Sequence, residues 1–390
     1  MIILISMKSI FSKLLLLISS LIFAVVVTEL VLSMFLGRFN SYYPWKPNML
    51  VELNPAQEYL PGIYGKSVFQ TNSYGLRGDE IPTGESFKIL AIGGSTTECL
   101  YLDQRETWTH LLQEKLKESD NWDNVWIGNS GKSGLSTRHY ILQMKHLLAQ
   151  IPDINRVIVL PGINDLSNLL STGDPDIYKG KEEKDEHVAL TAAFDVMPRY
   201  EEKKLPFFKR TRIWFLLTKA KFLIAGWNDI QNNVGSQLKS QREFRQNAKI
   251  YIDELPVMDS AISLYKERLN IMVDEVQKKG SKIIFLTQPS LWKDGMKEEV
   301  EKLLWFGWMG GKWGSDEYYS IKALIKGLEN YNKALLEVCR ERNVDCVDLA
   351  SDIPKDTSVF YDDVHFNEGG ARQVADILED YFLPSSPPIL

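Results

Sequence analysis

The chain has 390 residues, of which 44% are hydrophobic and 25% charged, and this composition excludes a disordered protein and is typical of a globular one. Its formal net charge of −6 argues against nucleic acid or an anionic surface as a partner. Three cysteines are too few for a disulfide scaffold, and no spacing of cysteine and histidine predicts a metal site. The length suffices for one large domain with insertions, or for two small domains, after an N-terminal anchor.

The first predicted element is an apolar helix at residues 14–36, which is long enough to cross a membrane because roughly 20 residues span the hydrocarbon core. Residues 1–13 form a short basic segment before it, and Lys8 and Lys13 favour a cytoplasmic N-terminus. We therefore expect a single-pass signal anchor, with the rest of the chain periplasmic or extracellular. A cleaved signal peptide is the alternative, because Glu29 shortens the uninterrupted apolar run to the length of a signal sequence.

Two features of this segment have alternative interpretations. Glu29 is the one charged residue of the apolar helix, and we expect it to lie near the outer membrane interface or to contact another helix. Translation starts at Met1 or at Met7, since the residues from Met7 onward resemble an ordinary basic leader.

A lead-in segment at residues 37–82 shows little periodicity, and strands and helices then alternate along residues 83–385. The predicted strands begin at Phe87, Val125, Val157, Lys282 and Cys346, and the predicted helices cover residues 106–117, 137–149, 257–279, 321–342 and 368–381. Strands separated by helices predict a mainly parallel sheet between two helical layers, which is a three-layer α/β/α sandwich. Such sheets bind ligands beyond the carboxyl ends of their strands.

Two insertions interrupt this pattern, at about residues 171–255 and 291–319. The first begins with a charged run at residues 179–187 that predicts a solvated loop, and it continues into a basic and aromatic stretch. That stretch predicts an amphipathic helix on the rim of the sheet, or a contact with the membrane surface or a polyanionic glycan. The second insertion is rich in aromatic residues and glycine; Trp305 and Trp308 are candidate substrate contacts, or alternatively pack a loop onto the core.

A nucleophile and its base stand at opposite ends of the alternating region. Ser95 follows the first apolar strand, and a serine hydroxyl becomes nucleophilic when an imidazole accepts its proton. His365 is the candidate base, and Asp362 lies three residues before it, where one turn can place both side chains together. We expect the neighbouring Asp363 to point elsewhere. The chain's other histidines lie in helical or charged stretches that predict no catalytic role.

Donors for an oxyanion are expected at the ends of two further strands. Gly134 lies in a glycine-rich loop, where the backbone N–H can approach a ligand closely. Asn164 follows the next strand and offers a side-chain amide. With the backbone N–H of Ser95, these groups predict an oxyanion hole of three donors.

Four short motifs of this chain resemble the four blocks of the SGNH (GDSL-like) hydrolase superfamily, in its membrane-anchored bacterial type. In chain order they are Gly-Gly-Ser95, Asn-Ser-Gly-Lys-Ser-Gly134, Gly-Ile-Asn164-Asp and Asp362-Asp-Val-His365. The resemblance implies a flavodoxin-like fold, Ser95 as nucleophile, Asp362 and His365 as the rest of the triad, and Gly134 and Asn164 as oxyanion donors. One departure is Glu98-Cys-Leu, where many relatives carry a small or aromatic residue followed by glycine, and it concerns the shape of the loop after the nucleophile.

The predicted function is a serine esterase that forms an acyl-serine intermediate on an ester of a lipid or an O-acylated glycan, outside the cytoplasmic membrane and without a cofactor. The alternative is an O-acyltransferase that modifies a cell-surface polysaccharide, because residue types do not decide whether water or a sugar hydroxyl takes the acyl group. A second alternative, an inactive glycan-binding module, is disfavoured by the complete set of site residues. The sequence leaves the substrate and the oligomeric state open.

Two further expectations concern structural residues. Cys339 and Cys346 bracket a helix-to-strand turn, and we expect buried free thiols there, with a disulfide in an oxidising compartment as the alternative and Cys99 left over. Arg77 in the lead-in segment is expected to lie in a structural turn stabilised by Gly75 and Gly78 rather than to contact an anionic substrate group.

Overall fold

The structure is a computed structural model of the chain, and it describes residues 2–35, 41–119, 122, 124–174, 182–197, 211–214, 231–310 and 314–383. The chain divides into two compact units. The first comprises Met1–Ser41 and Met197–Trp227, and the second comprises Tyr42–Val196 and Asn228–Leu390. The lead-in segment from Tyr42 onward therefore belongs to the same unit as the residues of the candidate site.

The elements are numbered in chain order. The strands are β1 (Leu50–Pro55), β2 (Ser67–Gln70), β3 (Phe87–Gly93), β4 (Val125–Asn129), β5 (Ile154–Leu160), β6 (Gln231–Val234), β7 (Ile250–Ile252), β8 (Lys282–Leu286), β9 (Glu317–Tyr319) and β10 (Asp345–Val347). The helices are α1 (Ile2–Phe35), α2 (Ser95–Glu98), α3 (Trp108–Glu118), α4 (Thr137–Gln150), α5 (Ile163–Thr172), α6 (Glu182–Ala193), α7 (Gln237–Gln246), α8 (Asp259–Gln277), α9 (Glu298–Glu301), α10 (Ile321–Arg342), α11 (Leu349–Asp352) and α12 (Glu368–Phe382). Short 3₁₀ turns lie at Gln57–Tyr59 and Gln104–Glu106.

In the first unit, α1 contains the span Phe11–Leu32, which is long and apolar enough to cross a membrane, as predicted. Glu29 on this helix accepts hydrogen bonds from the backbone N–H groups of Arg212 at 2.7 Å and Ile213 at 3.1 Å. The Arg212 guanidinium lies 3.6 Å from the same carboxylate. Glu29 therefore contacts another segment of the chain, and its charge is compensated there. Most of the basic and aromatic stretch of the first insertion lies outside the described residues.

In the second unit, the central sheet has the order β4-β3-β5-β8-β10, and all of its strands run parallel. Every residue of β3 is buried, because helices cover both faces of the sheet. Helices α3 and α12 pack against each other, and α8 packs against both α4 and α10. The predicted three-layer α/β/α fold is confirmed. The strand order reverses between β3 and β5, and this is the position at which such sheets bind ligands.

The insertions build two small sheets beside the central one. Strand β1 of the lead-in segment pairs antiparallel with β2 and parallel with β6 of the first insertion. Strand β7 of the first insertion pairs parallel with β9 of the second. The two insertions are thus hydrogen-bonded to each other, which their separation in the sequence did not indicate.

Two sequence-based expectations are wrong. The charged run at residues 179–187 was expected to be a loop, but its described part belongs to helix α6. Ala189, Leu190 and Ala193 at helical spacing are buried, while Glu186 and His187 are exposed. The expected free thiols of Cys339 and Cys346 form a disulfide with a Cα–Cα distance of 6.3 Å. Cys99 is a buried free thiol.

Arg77 has a structural role, as expected, but its partners lie in another segment and not in its own turn. Its side chain is 1% exposed and donates hydrogen bonds to the carbonyl oxygens of Glu98 at 2.6 Å, Cys99 at 2.7 Å and Leu102 at 2.7 Å. Burial lowers the pKa of this guanidinium to about 10. Arg77 therefore closes the lead-in segment over the loop that follows α2.

Candidate active site

Ser95 is the first residue of α2, and Gly94 alone separates it from Gly93, the last residue of β3. A Cβ at Gly93 would overlap the hydroxyl of Thr97, and a Cβ at Gly94 would lie 2.5 Å from Nδ2 of Asn164. The sharp change from strand to helix therefore needs glycine at both positions, and it leaves Ser95 at the carboxyl edge of the sheet.

His365 connects Ser95 to a buried carboxylate. Its Nε2 lies 2.7 Å from Oγ of Ser95, and its Nδ1 lies 2.8 Å from Oδ2 of Asp362, a side chain that is 0% exposed. The backbone N–H groups of Val364 and His365 donate to Oδ1 of Asp362 at 3.1 and 3.0 Å. The structure thus brings the three predicted triad residues into one hydrogen-bonded chain, with Asp362 and not Asp363 at its end.

Asp362 and His365 each stabilise the charged form of the other. Burial alone would raise the pKa of Asp362, but the interaction with His365 and the hydrogen bonds to the carboxylate hold that pKa below its ordinary value. Burial disfavours protonation of His365, but the Asp362 carboxylate outweighs it and raises the pKa of the imidazole above its ordinary value. The imidazole is therefore a stronger base than an isolated histidine, as acceptance of a serine proton requires.

Of the predicted oxyanion donors, Gly134 lies in the loop before α4 and Asn164 lies in the first turn of α5. Hydrogen bonds hold these two segments together. Gly134 has a φ of +78°, in the left-handed region that favours glycine. Asn164 donates one amide hydrogen to the carbonyl of Leu135 at 2.8 Å, and a primary amide has a second hydrogen for a ligand. The buried Asp165 accepts the hydroxyl of Thr137 at 2.5 Å, and so joins the start of α5 to the start of α4.

The aromatic insertion reaches the triad directly. The indole Nε1 of Trp305 donates to Oδ2 of Asp362 at 2.8 Å, and the Trp305 ring is nearly parallel to the His365 ring at a centroid distance of 6.2 Å. Trp308 stacks on Trp305 at 5.9 Å. The sequence predicted that both tryptophans either contact the substrate or pack a loop onto the core, and the N–H group of Trp305 is bonded to the triad carboxylate. Aromatic density in the sequence did not indicate this contact.

Asp363 holds the same insertion through hydrogen bonds to its side-chain and backbone N–H groups. Its carboxylate accepts the indole N–H of Trp292 at 2.7 Å and the backbone N–H groups of Trp305 at 2.8 Å and Phe306 at 3.2 Å. Burial, together with the neighbouring Asp362, raises the pKa of Asp363 to about 6. The two adjacent aspartates therefore point in different directions, one to the imidazole and one to the aromatic loop.

Two buried arginines of α7 donate hydrogen bonds to the backbone of the second insertion. The sequence did not indicate their role. Arg242 donates to the carbonyl oxygens of Leu303 at 3.0 Å and Tyr361 at 2.8 Å. Arg245 donates to the carbonyl oxygens of Phe306 at 2.6 Å and Tyr319 at 3.1 Å. The first insertion thus supports both the second insertion and the turn that carries Asp362.

One group of side chains among the described residues has the spacing of a metal site. Ligand atoms of Asp79, His110 and Glu114 lie within 4.8 Å of one another. Asp79 accepts a hydrogen bond from Gln113 at 2.7 Å, and Glu114 pairs with Lys117 at 2.9 Å. Because these carboxylates already have protein partners and are exposed, we assign no metal to them.

Comparison with known proteins gives a family for most of the chain. Residues 91–373 match the model of the GDSL-like Lipase/Acylhydrolase family. No curated protein matches the chain.

Similar solved structures include a member of the lipolytic protein G-D-S-L family from Veillonella parvula DSM 2008, with 13% identity, a TM-score of 0.39 and coverage of 77% of this chain and 100% of that one. An acetylxylan esterase from Geobacillus stearothermophilus has 14% identity, a TM-score of 0.38 and coverage of 76% and 93%. A carbohydrate acetylesterase from Sinorhizobium meliloti has 11% identity, a TM-score of 0.38 and coverage of 76% and 99%. At such low similarity these structures carry no information about the substrate of this chain.

Proposed function

Because the chain belongs to the GDSL-like lipase/acylhydrolase family and is thereby a hydrolase acting on ester bonds, we propose that it is a serine esterase in which Ser95 is the nucleophile. One observation carries the proposal: the unbroken contacts from Oγ of Ser95 through the His365 ring to the buried Asp362. A serine without such a base is a poor nucleophile at neutral pH.

The reaction proceeds in two halves. His365 Nε2 accepts the Ser95 proton as Oγ attacks the ester carbonyl, and the N–H groups of Ser95, Gly134 and Asn164 stabilise the oxyanion. The bond to the alcohol then breaks, His365 returns its proton to the leaving oxygen, and the acyl group stays on Ser95. Water attacks this acyl-serine while His365 accepts its proton, and collapse releases the acid and restores the Ser95 hydroxyl.

We assign the substrate contact to Trp308 and not to Trp305, whose N–H group is committed to Asp362. Trp308 lies one stacked ring further from His365, and its side chain is half-buried. A flat aromatic surface one ring beyond Trp305 suits contact with the apolar face of a sugar ring or with an acyl chain. The proposed substrates are therefore esters of an O-acylated glycan or a lipid.

The proposed location is the outer side of the cytoplasmic membrane. The apolar span Phe11–Leu32 supports attachment through a single helix. The disulfide between Cys339 and Cys346 supports an oxidising compartment, since cytoplasmic thiols are kept reduced.

The test uses the full chain in detergent, a fluorophosphonate probe and a panel of esters with short and long acyl chains. We expect labelling and ester turnover in the wild type and neither in Ser95→Ala. Ser351→Ala, an exposed serine on α11, is the matched control and should behave as the wild type. Labelling that persists in Ser95→Ala would reject the nucleophile, and turnover that requires an added polysaccharide would favour an acyltransferase.

A further inference from the structure

Glu98 is a buried carboxylate that the proposed mechanism does not use. It is the last residue of α2, three positions after Ser95, and its side chain is 1% exposed. The hydroxyl of Ser133 donates to Oε2 of Glu98 at 2.5 Å. Ser133 directly precedes Gly134, whose backbone N–H is a proposed oxyanion donor. One side-chain contact therefore joins the helix of the nucleophile to the loop of the oxyanion hole.

The base of that loop is tied to the same helix. The Asn129 amide donates to the carbonyl of Thr97 at 2.6 Å, and its oxygen accepts the backbone N–H of Gly131 at 2.8 Å. A Cβ at Gly131 would collide with the backbone of Glu98. Ser133 and Gly134 themselves are exposed, so the tip of the loop has little packing to hold it. The Glu98 carboxylate is a point of attachment for that tip.

The electrostatic surroundings permit a buried acid at this position. Burial raises the pKa of Glu98, while the hydroxyl and backbone N–H of Ser133 and the nearby charges of Arg77 and His365 act to lower it. A buried carboxyl group costs free energy unless hydrogen bonds compensate for its lost hydration. Here the hydrogen bonds come from the loop that carries a proposed oxyanion donor, and not from a distant part of the core.

We propose that Glu98 is a positioning residue that holds Ser133 and thereby fixes the N–H of Gly134 relative to Oγ of Ser95. It acts through Ser133 and does not touch the substrate. The inference rests on the proposed roles of Ser95 and Gly134. It gives a function to Glu98, to which the sequence assigned none.

The expected effect is a loss of kcat without a loss of substrate binding. Removal of one oxyanion donor costs on the order of 10²–10³ in kcat, so a displaced donor should cost less. We expect Ser133→Ala and Glu98→Ala to lower kcat by about 10- to 100-fold, with KM changed by less than about 3-fold. Since the Ser133 hydroxyl acts only through Glu98, the double variant should be no slower than the Glu98→Ala variant. Glu98→Gln keeps an acceptor oxygen and should recover most of the lost rate.

A second serine–glutamate pair provides the matched control. Ser73 donates to Oε2 of Glu80 at 2.7 Å in an exposed turn of the lead-in segment. Ser73→Ala and Glu80→Ala should leave kcat unchanged. Kinetics of a short aryl ester are measured on full-length variants in detergent, and thermal unfolding is measured in parallel. Ser133→Ala removes one exposed hydroxyl, so the test remains valid if Glu98→Ala fails to fold.

The outcomes separate this inference from the proposed function. A wild type that neither hydrolyses the ester nor reacts with fluorophosphonate at Ser95 refutes the proposed function. A wild type that does both, beside a folded Ser133→Ala variant with kcat within about 2-fold of it, refutes only the role of Glu98, because a displaced donor must slow the reaction. A kcat loss that adds up in the double variant also overturns it, since the two residues then act separately.

Discussion

Replacing Trp305 by phenylalanine tests whether this residue positions the triad or binds the substrate. The substitution keeps an aromatic ring beside His365 but removes the indole N–H that donates to Asp362 at 2.8 Å. The carboxylate retains the His365 ring and the backbone N–H groups of Val364 and His365 as donors. The triad should therefore still assemble, with a less firmly held carboxylate.

The size of the effect follows from the strength of one hydrogen bond to a buried charge, which contributes about 1.5–3 kcal/mol. The folded state should lose stability of this order. Asp362 stabilises the imidazolium that forms in the transition state, and we expect about 1–2 kcal/mol of the loss to appear there. This corresponds to a fall of about 5- to 30-fold in kcat, with KM nearly unchanged.

Steady-state kinetics of the full chain with one ester distinguish a Trp305 that positions the triad from one that binds the substrate. The variants Trp308→Phe and Trp308→Ala serve as the comparison. The Trp308 variants should raise KM and leave kcat near the wild-type value, because Trp308 is the proposed substrate contact. A Trp305→Phe variant with an unchanged kcat and a raised KM would refute the reasoning. It would show that the indole N–H at Asp362 contributes nothing to the transition state.

Three further predictions concern pH, backbone space and the disulfide. The pKa of His365 is raised, and the imidazole must be neutral to act as a base. We therefore expect kcat/KM to fall as the pH decreases, with a midpoint above the ordinary histidine pKa of about 6.5. The Asp362→Asn variant should show the same fall at a lower pH, and pH–rate profiles measure both. Gly94→Ala should lower kcat by about 10²-fold or more in a folded protein, because its Cβ would collide with the Asn164 amide; kinetics and fluorophosphonate labelling check this, and wild-type activity would contradict it. Cys339→Ser should lower the free energy of unfolding by about 2–3 kcal/mol relative to the oxidised wild type, and denaturant titration with and without reductant measures this.

The sequence alone determined the central sheet and the positions of the candidate catalytic groups. Apolar runs between amphipathic helices predict the parallel strands, because a strand buried on both faces needs apolar residues throughout, as β3 shows. Ser95, Gly134 and Asn164 each come after the carboxyl end of a predicted strand. Parallel strands bring these ends to one edge of the sheet, so the sequence predicts that the three residues lie near one another. The spacing of Asp362 and His365 is local, and one turn brings the two side chains together.

Only the tertiary structure decided what holds these groups in place. The indole of Trp305 meets Asp362 across 57 residues of sequence, and Ser133 meets Glu98 across 35. Arg242 reaches the carbonyl of Tyr361 across 119 residues. A tryptophan, a glutamate or an arginine has the same local pattern whether it faces solvent, substrate or another side chain. Its role depends on which partner the fold brings within hydrogen-bond distance, and that is a property of long-range packing that periodicity and composition do not encode.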